Sequence, residues 1–215
     1  MSPEAILVAI EVAATVAFAL SGLIESIRRR MDIVGVFSVS FASAFGGGTV
    51  RDILLDRRPF FWVEHQEYAW LVLALTLTAP LVLRAYRHQL VDKVMEVADA
   101  LGLGLFAISG ASLALAAGMP PFVCVLMGAI TAVVGGVLRD VLCNEIPRVF
   151  HDHIPYTLCA FIGCSLFLGL DALGLALQAS TTAGIVATTG LRLLAVVRDW
   201  RIPAWPPGQR PPDGP

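Results

Sequence analysis

Two arginine–aspartate pairs stand where charge is hardest to keep. Arg51-Asp52 follows Gly46-Gly47-Gly48-Thr49, and Arg139-Asp140 follows Gly135-Gly136, each inside an apolar run. Two further acids, Glu11 and Asp99, lie in apolar stretches upstream of those pairs. An ionisable side chain within lipid is costly, and it is retained facing a partner charge, a bundle interior or a water-filled cavity. Adjacent residues on a helix point about 100° apart, so Arg51 and Asp52 are expected to seek partners on other elements. Arg51 and Arg139 would line or lock a cavity, with Asp52 and Asp140 as counter-charges or caps. Glu11 and Asp99 would sit at its two mouths and enrich cations there. Counted from Asp32, Arg51 is roughly 29 Å along its span, so a snorkelling arginine at an interface is the competing reading.

The glycines raise a second chemistry. Each costs a helix interior about 1 kcal/mol relative to alanine, and backbone groups freed in a membrane are tolerated only in protein or beside water. Both runs are therefore expected to break their helices, and the loosened carbonyl oxygens would suit an alkali cation. Close helix packing is the alternative for the runs, and the preferred reading for isolated glycines such as Gly102, Gly104, Gly110, Gly184 and Gly190.

The elements that must hold these residues are membrane helices. Of 215 residues, 57% are hydrophobic and 15% charged, against about 25% charged in soluble domains. A crossing helix needs about 20 apolar residues, and seven runs qualify: 4–26, 32–56, 67–86, 92–117, 120–145, 154–175 and 178–199. The N-terminal run carries Glu4 and Glu11 and no basic leader, and is expected to be a first span rather than a cleaved signal. Residues 200–215 are Pro-rich and are expected to form an extended, solvated tail. Cys124, Cys143, Cys159 and Cys164 sit in apolar runs without CxxC spacing and read as small buried hydrophobes. His151-Asp152-His153 has no third ligand at helical spacing, so no metal site is expected. There is no P-loop, dinucleotide fingerprint or nucleophile–base arrangement, and no basic patch interleaved with aromatics. An enzyme, a cofactor and a nucleic-acid partner are all unexpected.

The chain repeats itself. Shifted by 88 residues, 11–68 aligns without gaps on 99–156 with 14 identities. FALSG (18–22) falls on FAISG (106–110), GGTVRDIL on GGVLRDVL, Pro59 on Pro147, His65 on His153 and Tyr68 on Tyr156. Compositional bias would align Ala and Leu, not Arg-Asp pairs. Three spans per copy is an odd number, so the second copy enters from the opposite face, an inverted repeat of the kind that builds pathways at the interface of its halves. The expected units are 1–88, its inverted counterpart 89–176, a seventh span at 177–199, and the tail. Ten basic residues fall on the side of the first link and three on the other, which places the C-terminus in the cytoplasm and the N-terminus outside.

The doubled pattern, Gly46-Gly47-Gly48-Thr49 with Arg51-Asp52 and Pro59 to Trp62, then Gly135-Gly136 with Arg139-Asp140 and Pro147, resembles the prokaryotic trimeric intracellular cation (TRIC) channels. That family is also labelled a glycine transporter domain family. The resemblance covers about residues 5–198 and implies a homotrimer in the inner membrane, each protomer with its own K⁺-permeable pore that also passes some Na⁺. It implies that the second and fifth spans kink at Gly46, Gly47, Gly48, Gly135 and Gly136 and line the pore with the first and fourth. Val134 replaces the first glycine of the second run, a departure from the pattern. No counterpart of the lysine-bearing phosphoinositide motif of animal members is found; Lys93 is the only lysine. A secondary transporter of a small solute such as glycine remains the alternative, because inverted repeats with broken helices serve both.

Overall fold

The computed structural model describes residues 3–83, 88–151 and 154–203, and every described element is a helix. In order these are α1 (Pro3–Arg28), α2 (Ile33–Leu54), α3 (Phe61–Glu64), α4 (Gln66–Leu83), α5 (His88–Ala116), α6 (Pro121–Leu142), α7 (Arg148–His151), α8 (Thr157–Ala172) and α9 (Leu177–Val197). The seven longer helices follow the seven apolar runs. The one-turn helices α3 and α7 fill equivalent links behind Pro59 and Pro147. Arg84, Arg87, Asp152-His153 and the tail beyond 203 lie outside the described residues.

Among the described residues, five helices are long and apolar enough to cross a membrane: those over Ala5–Arg28, Ile33–Leu54, Lys93–Ala116, Pro121–Leu142 and Leu177–Val197. The third and sixth runs form the shorter α4, of 18 residues, and α8, of 16. Large apolar side chains face outward, with Trp70 66% and Phe122 68% exposed. Water would penalise that surface and lipid does not. Local signals set the ends: the Asp32 carboxylate accepts from the Gly35 amide at 2.8 Å to cap α2, and α6 begins at Pro121, where a missing N–H costs nothing.

The glycine runs do not break their helices. Helix α2 continues through residues 46–48 and α6 through 135–136. The absent side chains instead let the two helices cross backbone to backbone. A Cβ on Gly47 would come within 3.0 Å of the Thr131 carbonyl oxygen, and one on Gly135 within 3.0 Å of the Ser43 carbonyl oxygen. Those four positions pair at the 88-residue offset, so the crossing is its own mirror. Close packing, the competing reading of the runs, is what the geometry bears out at Gly47 and Gly135. A Cβ on Gly48 or Gly136 would make only ordinary contacts. Their nearest neighbours would be Arg51 Nη2 at 3.8 Å and the Tyr156 hydroxyl at 3.4 Å.

Helices α1 and α5 meet at the same centre. Phe18 and Phe106, equivalent residues, stack with ring centroids 5.5 Å apart and planes 18° from parallel. Around them Ala14, Leu103, Ala107, Ile108 and Ala132 close an apolar middle. The polar residues of α1 and α5 lie toward either end of that plug.

Candidate functional site

Each arginine is the hub of a buried centre. Arg51, in the last turn of α2, is fully buried. Its Nε donates to Asp52 Oδ1 at 2.9 Å. Its Nη1 donates to Glu11 on α1 and to Ser109 Oγ on α5, the latter at 3.1 Å. Ser109 in turn donates to Glu11 Oε1 at 3.0 Å. Arg51 Nη2 lies 2.8 Å from Asp52 Oδ1 without the direction of a hydrogen bond. The other carboxylate oxygen of Asp52 accepts from the Phe61 amide at 3.3 Å and so anchors α3.

The second centre repeats this plan. Arg139, in the last turn of α6, donates from Nε to Asp140 Oδ1 at 2.8 Å. Its Nη1 donates to Asp99 Oδ1 on α5 at 2.6 Å and to Ser21 Oγ on α1. Asp140 Oδ2 accepts from the Arg148 amide at 2.9 Å, anchoring α7. The serines cross over: Ser109, from the second repeat, completes the first centre, and Ser21, from the first, completes the second. Charge-assisted bonds of this kind are about twice as strong as neutral ones.

Two sequence expectations change here, and one competing reading falls away. Glu11 and Asp99 are not mouth charges; they are 3% and 6% exposed and paired to the arginines, because the opposite repeat packs over them. Arg51 and Asp52 do satisfy each other, as do Arg139 and Asp140. An arginine is long enough to fold back on its neighbour although their Cβ atoms diverge. The arginines do not snorkel, since neither guanidinium reaches solvent. Thr49 keeps its hydroxyl on the Phe45 carbonyl at 2.8 Å and accepts from the Trp62 indole at 3.2 Å, a local brace for the first centre.

Sequence reasoning missed Ser21 and Ser109 as ligands of the arginines, although both are identical positions of the repeat. It also missed Thr15 and Tyr156. Thr15 shares a narrow space beside the first centre with Glu11, Gly48 and Arg51, of about 10 Å³. That is about what one water needs. Tyr156 is buried, with Asp99, Arg139 and Arg192 as its charged neighbours. Its ring lies under the Arg192 guanidinium at 4.8 Å, and Arg192 also donates to the Pro155 carbonyl at 3.5 Å. The Thr15 hydroxyl has no hydrogen-bond partner, and the Tyr156 hydroxyl faces Asp99 without the direction of a hydrogen bond.

Beyond the second centre, Glu25 accepts from Arg29 at 3.2 Å and from Arg148 at 3.3 Å, and Arg29 reaches Glu145 at 2.5 Å. The corresponding end of the first centre is aromatic instead, with Phe41, Trp62, Phe61 and Tyr68 in ring contacts. No group of three or more His, Cys, Asp or Glu that could hold a metal occurs among the described residues.

The buried ion pairs recur on two helix pairs at the 88-residue offset, and the family model described as "Glycine transporter" likewise matches twice, over residues 8–84 and residues 96–172. The chain belongs to this family. Among its relatives, the UPF0126 inner membrane protein YadS of Escherichia coli K12 is 33% identical over 91% of this chain and 94% of its own length. A UPF0126 membrane protein of Vibrio cholerae is 35% identical over 87% of this chain and 77% of its own. A solved TRIC trimeric intracellular cation channel orthologue from Rhodobacter sphaeroides superposes with a TM-score of 0.84 at 31% identity, covering 91% of this chain and 99% of that one. A second TRIC cation channel gives 0.82 at 34% identity, covering 91% and 95%.

Proposed function

We propose that the protein is a multi-pass inner-membrane channel for monovalent cations, chiefly K⁺ with some Na⁺, with a pore inside each protomer of a homotrimer. The pore runs between α1, α2, α5 and α6, through the two arginine centres and the Phe18–Phe106 plug. In this reading 1–88 and 89–176 are the inverted three-helix units and 177–199 the seventh crossing helix. The N-terminus is outside and the C-terminal segment 200–215 cytoplasmic.

The observation that carries this reading is a charge count. Each guanidinium is paired with two carboxylates, Glu11 and Asp52 at one centre, Asp99 and Asp140 at the other. At the first centre this leaves a negative surplus, which attracts a cation and repels a carboxylate-bearing solute; at the second the buried Arg192 beside Tyr156 offsets it. A glycine carrier would need the opposite balance around its substrate carboxylate. The likeness to solved cation channels over nine-tenths of the chain supports the same choice. The description of the family model supports the carrier as second reading.

Purified protein in planar bilayers under a K⁺ gradient, beside radiolabelled glycine uptake in liposomes, separates them. Unitary K⁺-selective currents without glycine uptake are expected. Saturable uptake without currents would replace the channel with the carrier.

A further inference from the structure

Each centre holds more oxygen than its arginine uses. At the first, Thr15 is 1% exposed and its hydroxyl has no partner; at the second, Tyr156 is 7% exposed and its hydroxyl faces Asp99 without the direction of a hydrogen bond. Burying an unpaired hydroxyl costs about 1–3 kcal/mol, and valine or phenylalanine would fill the same space without that cost. The two do not correspond in the repeat: the counterpart of Thr15 is Leu103 and that of Tyr156 is Tyr68. A spare oxygen has thus been placed at each centre by a different route.

The charges divide in the same way. Arg51 with Asp52 is neutral on its own, and so is Arg139 with Asp140, each pair joined through Nε. The remaining carboxylates are Glu11 and Asp99, which hold only an Nη1 corner of the guanidinium, alongside Ser109 and Ser21. That corner is a cationic group set among a carboxylate and a serine oxygen, with an idle hydroxyl nearby. An alkali cation seeks such an oxygen cluster.

We propose that each centre is a monovalent-cation site whose occupant in the closed protein is the arginine's own Nη1. A permeating cation replaces it on Glu11, Ser109 and Thr15 at one centre, and on Asp99, Ser21 and Tyr156 at the other. The arginine relaxes onto its adjacent aspartate, so the entering cation takes over the carboxylate that Nη1 leaves, and the exchange moves a side chain rather than a helix. Arg192 positions Tyr156 for this by stacking on its ring. The proposal rests on the channel reading and names where the ion binds within it.

The test begins with melting in detergent, comparing wild type and Arg139→Gln in KCl and in N-methyl-D-glucamine chloride at equal ionic strength. The variant leaves Asp99 without its resident cation, so its Tm is expected to rise with the logarithm of K⁺ concentration and not with the organic cation. Wild type is expected to respond alike to both. An equal response of Arg139→Gln to the two salts overturns the proposal. Should that variant not fold, Thr15→Val and Tyr156→Phe, which remove only unpaired hydroxyls, are tested in planar bilayers. The half-saturating K⁺ concentration for unitary conductance should rise roughly tenfold in each, the worth of one lost oxygen on a charge. An unchanged saturation curve in both also overturns it. If wild type passes no current at all, the channel reading fails, and the melting comparison alone decides the cation site.

Discussion

Alanine substitution through the first glycine run tests what those glycines are for. At Gly47 a Cβ would lie within 3.0 Å of the Thr131 carbonyl oxygen, a backbone atom that cannot rotate away. Restoring ordinary contact requires α2 and α6 to separate by on the order of 1 Å. That separation loosens the Ser43–Gly135 contact as well, because both belong to one crossing. Overpacking of this kind costs about 1–3 kcal/mol at a single contact, and with two mirrored contacts disturbed we expect about 3 kcal/mol or more for Gly47→Ala. At Gly48 the nearest atom to a Cβ is 3.8 Å away, so Gly48→Ala should fit and gain about 1 kcal/mol of helix propensity. Gly46 is intermediate, because its obstacle is the flexible end of Leu138. The assay is thermal unfolding in detergent followed by tryptophan fluorescence, with size exclusion to verify assembly. The order Gly48→Ala above Gly46→Ala above Gly47→Ala is expected. If Gly48→Ala proved as damaging as Gly47→Ala, the crossing argument would be wrong, and these glycines would be serving backbone flexibility instead.

Four other outcomes follow from the same coordinates. Glu11→Ala leaves Arg51 on Asp52 and Ser109 but removes a buried charge-assisted bond, and should destabilise by about 1.5–3 kcal/mol, read as a lower Tm; a shift indistinguishable from that of a surface glutamate would refute the buried pairing. Ser21→Ala and Ser109→Ala each remove a bond to the opposite repeat and should cost about 1–3 kcal/mol. Since the two serines serve separate centres, the double variant should be additive within about 0.5 kcal/mol. Glu145→Gln removes a half-exposed partner of Arg29 and should cost less than about 1 kcal/mol, a difference that fades in high salt. Trp62→Phe deletes the indole donor to Thr49 and should destabilise by the worth of one neutral hydrogen bond, about 1 kcal/mol, read as a lower Tm.

The architecture was legible because lipid restricts what a sequence can do. Long apolar runs must be helices, and an Arg-Asp pair duplicated at a fixed offset survives in two copies only if both positions matter. The partners were not legible. Glu11 and Arg51 are 40 residues apart, and an acid near the start of a first span reads as surface until the second repeat is packed over it. The glycines failed for a related reason. A residue without a side chain either frees its own backbone or admits another one, and the choice depends on the helix it meets. Ser21 and Ser109 were visible as repeated residues, yet a serine followed by glycine looks like packing until an arginine nitrogen is found on its hydroxyl. Thr15 left no trace in the repeat, where its counterpart is Leu103, and Tyr156, although matched by Tyr68, gave no sign that it would lie beside Arg139.

The crossed serines have a consequence for how the chain is made. The N-terminal half emerges first, carrying Arg51 with Glu11 and Asp52 already to hand but without Ser109, which belongs to a helix not yet synthesised. Its own Ser21 meanwhile waits for an arginine 118 positions downstream. Neither half contains a finished centre, so each centre is completed only when both halves have been made.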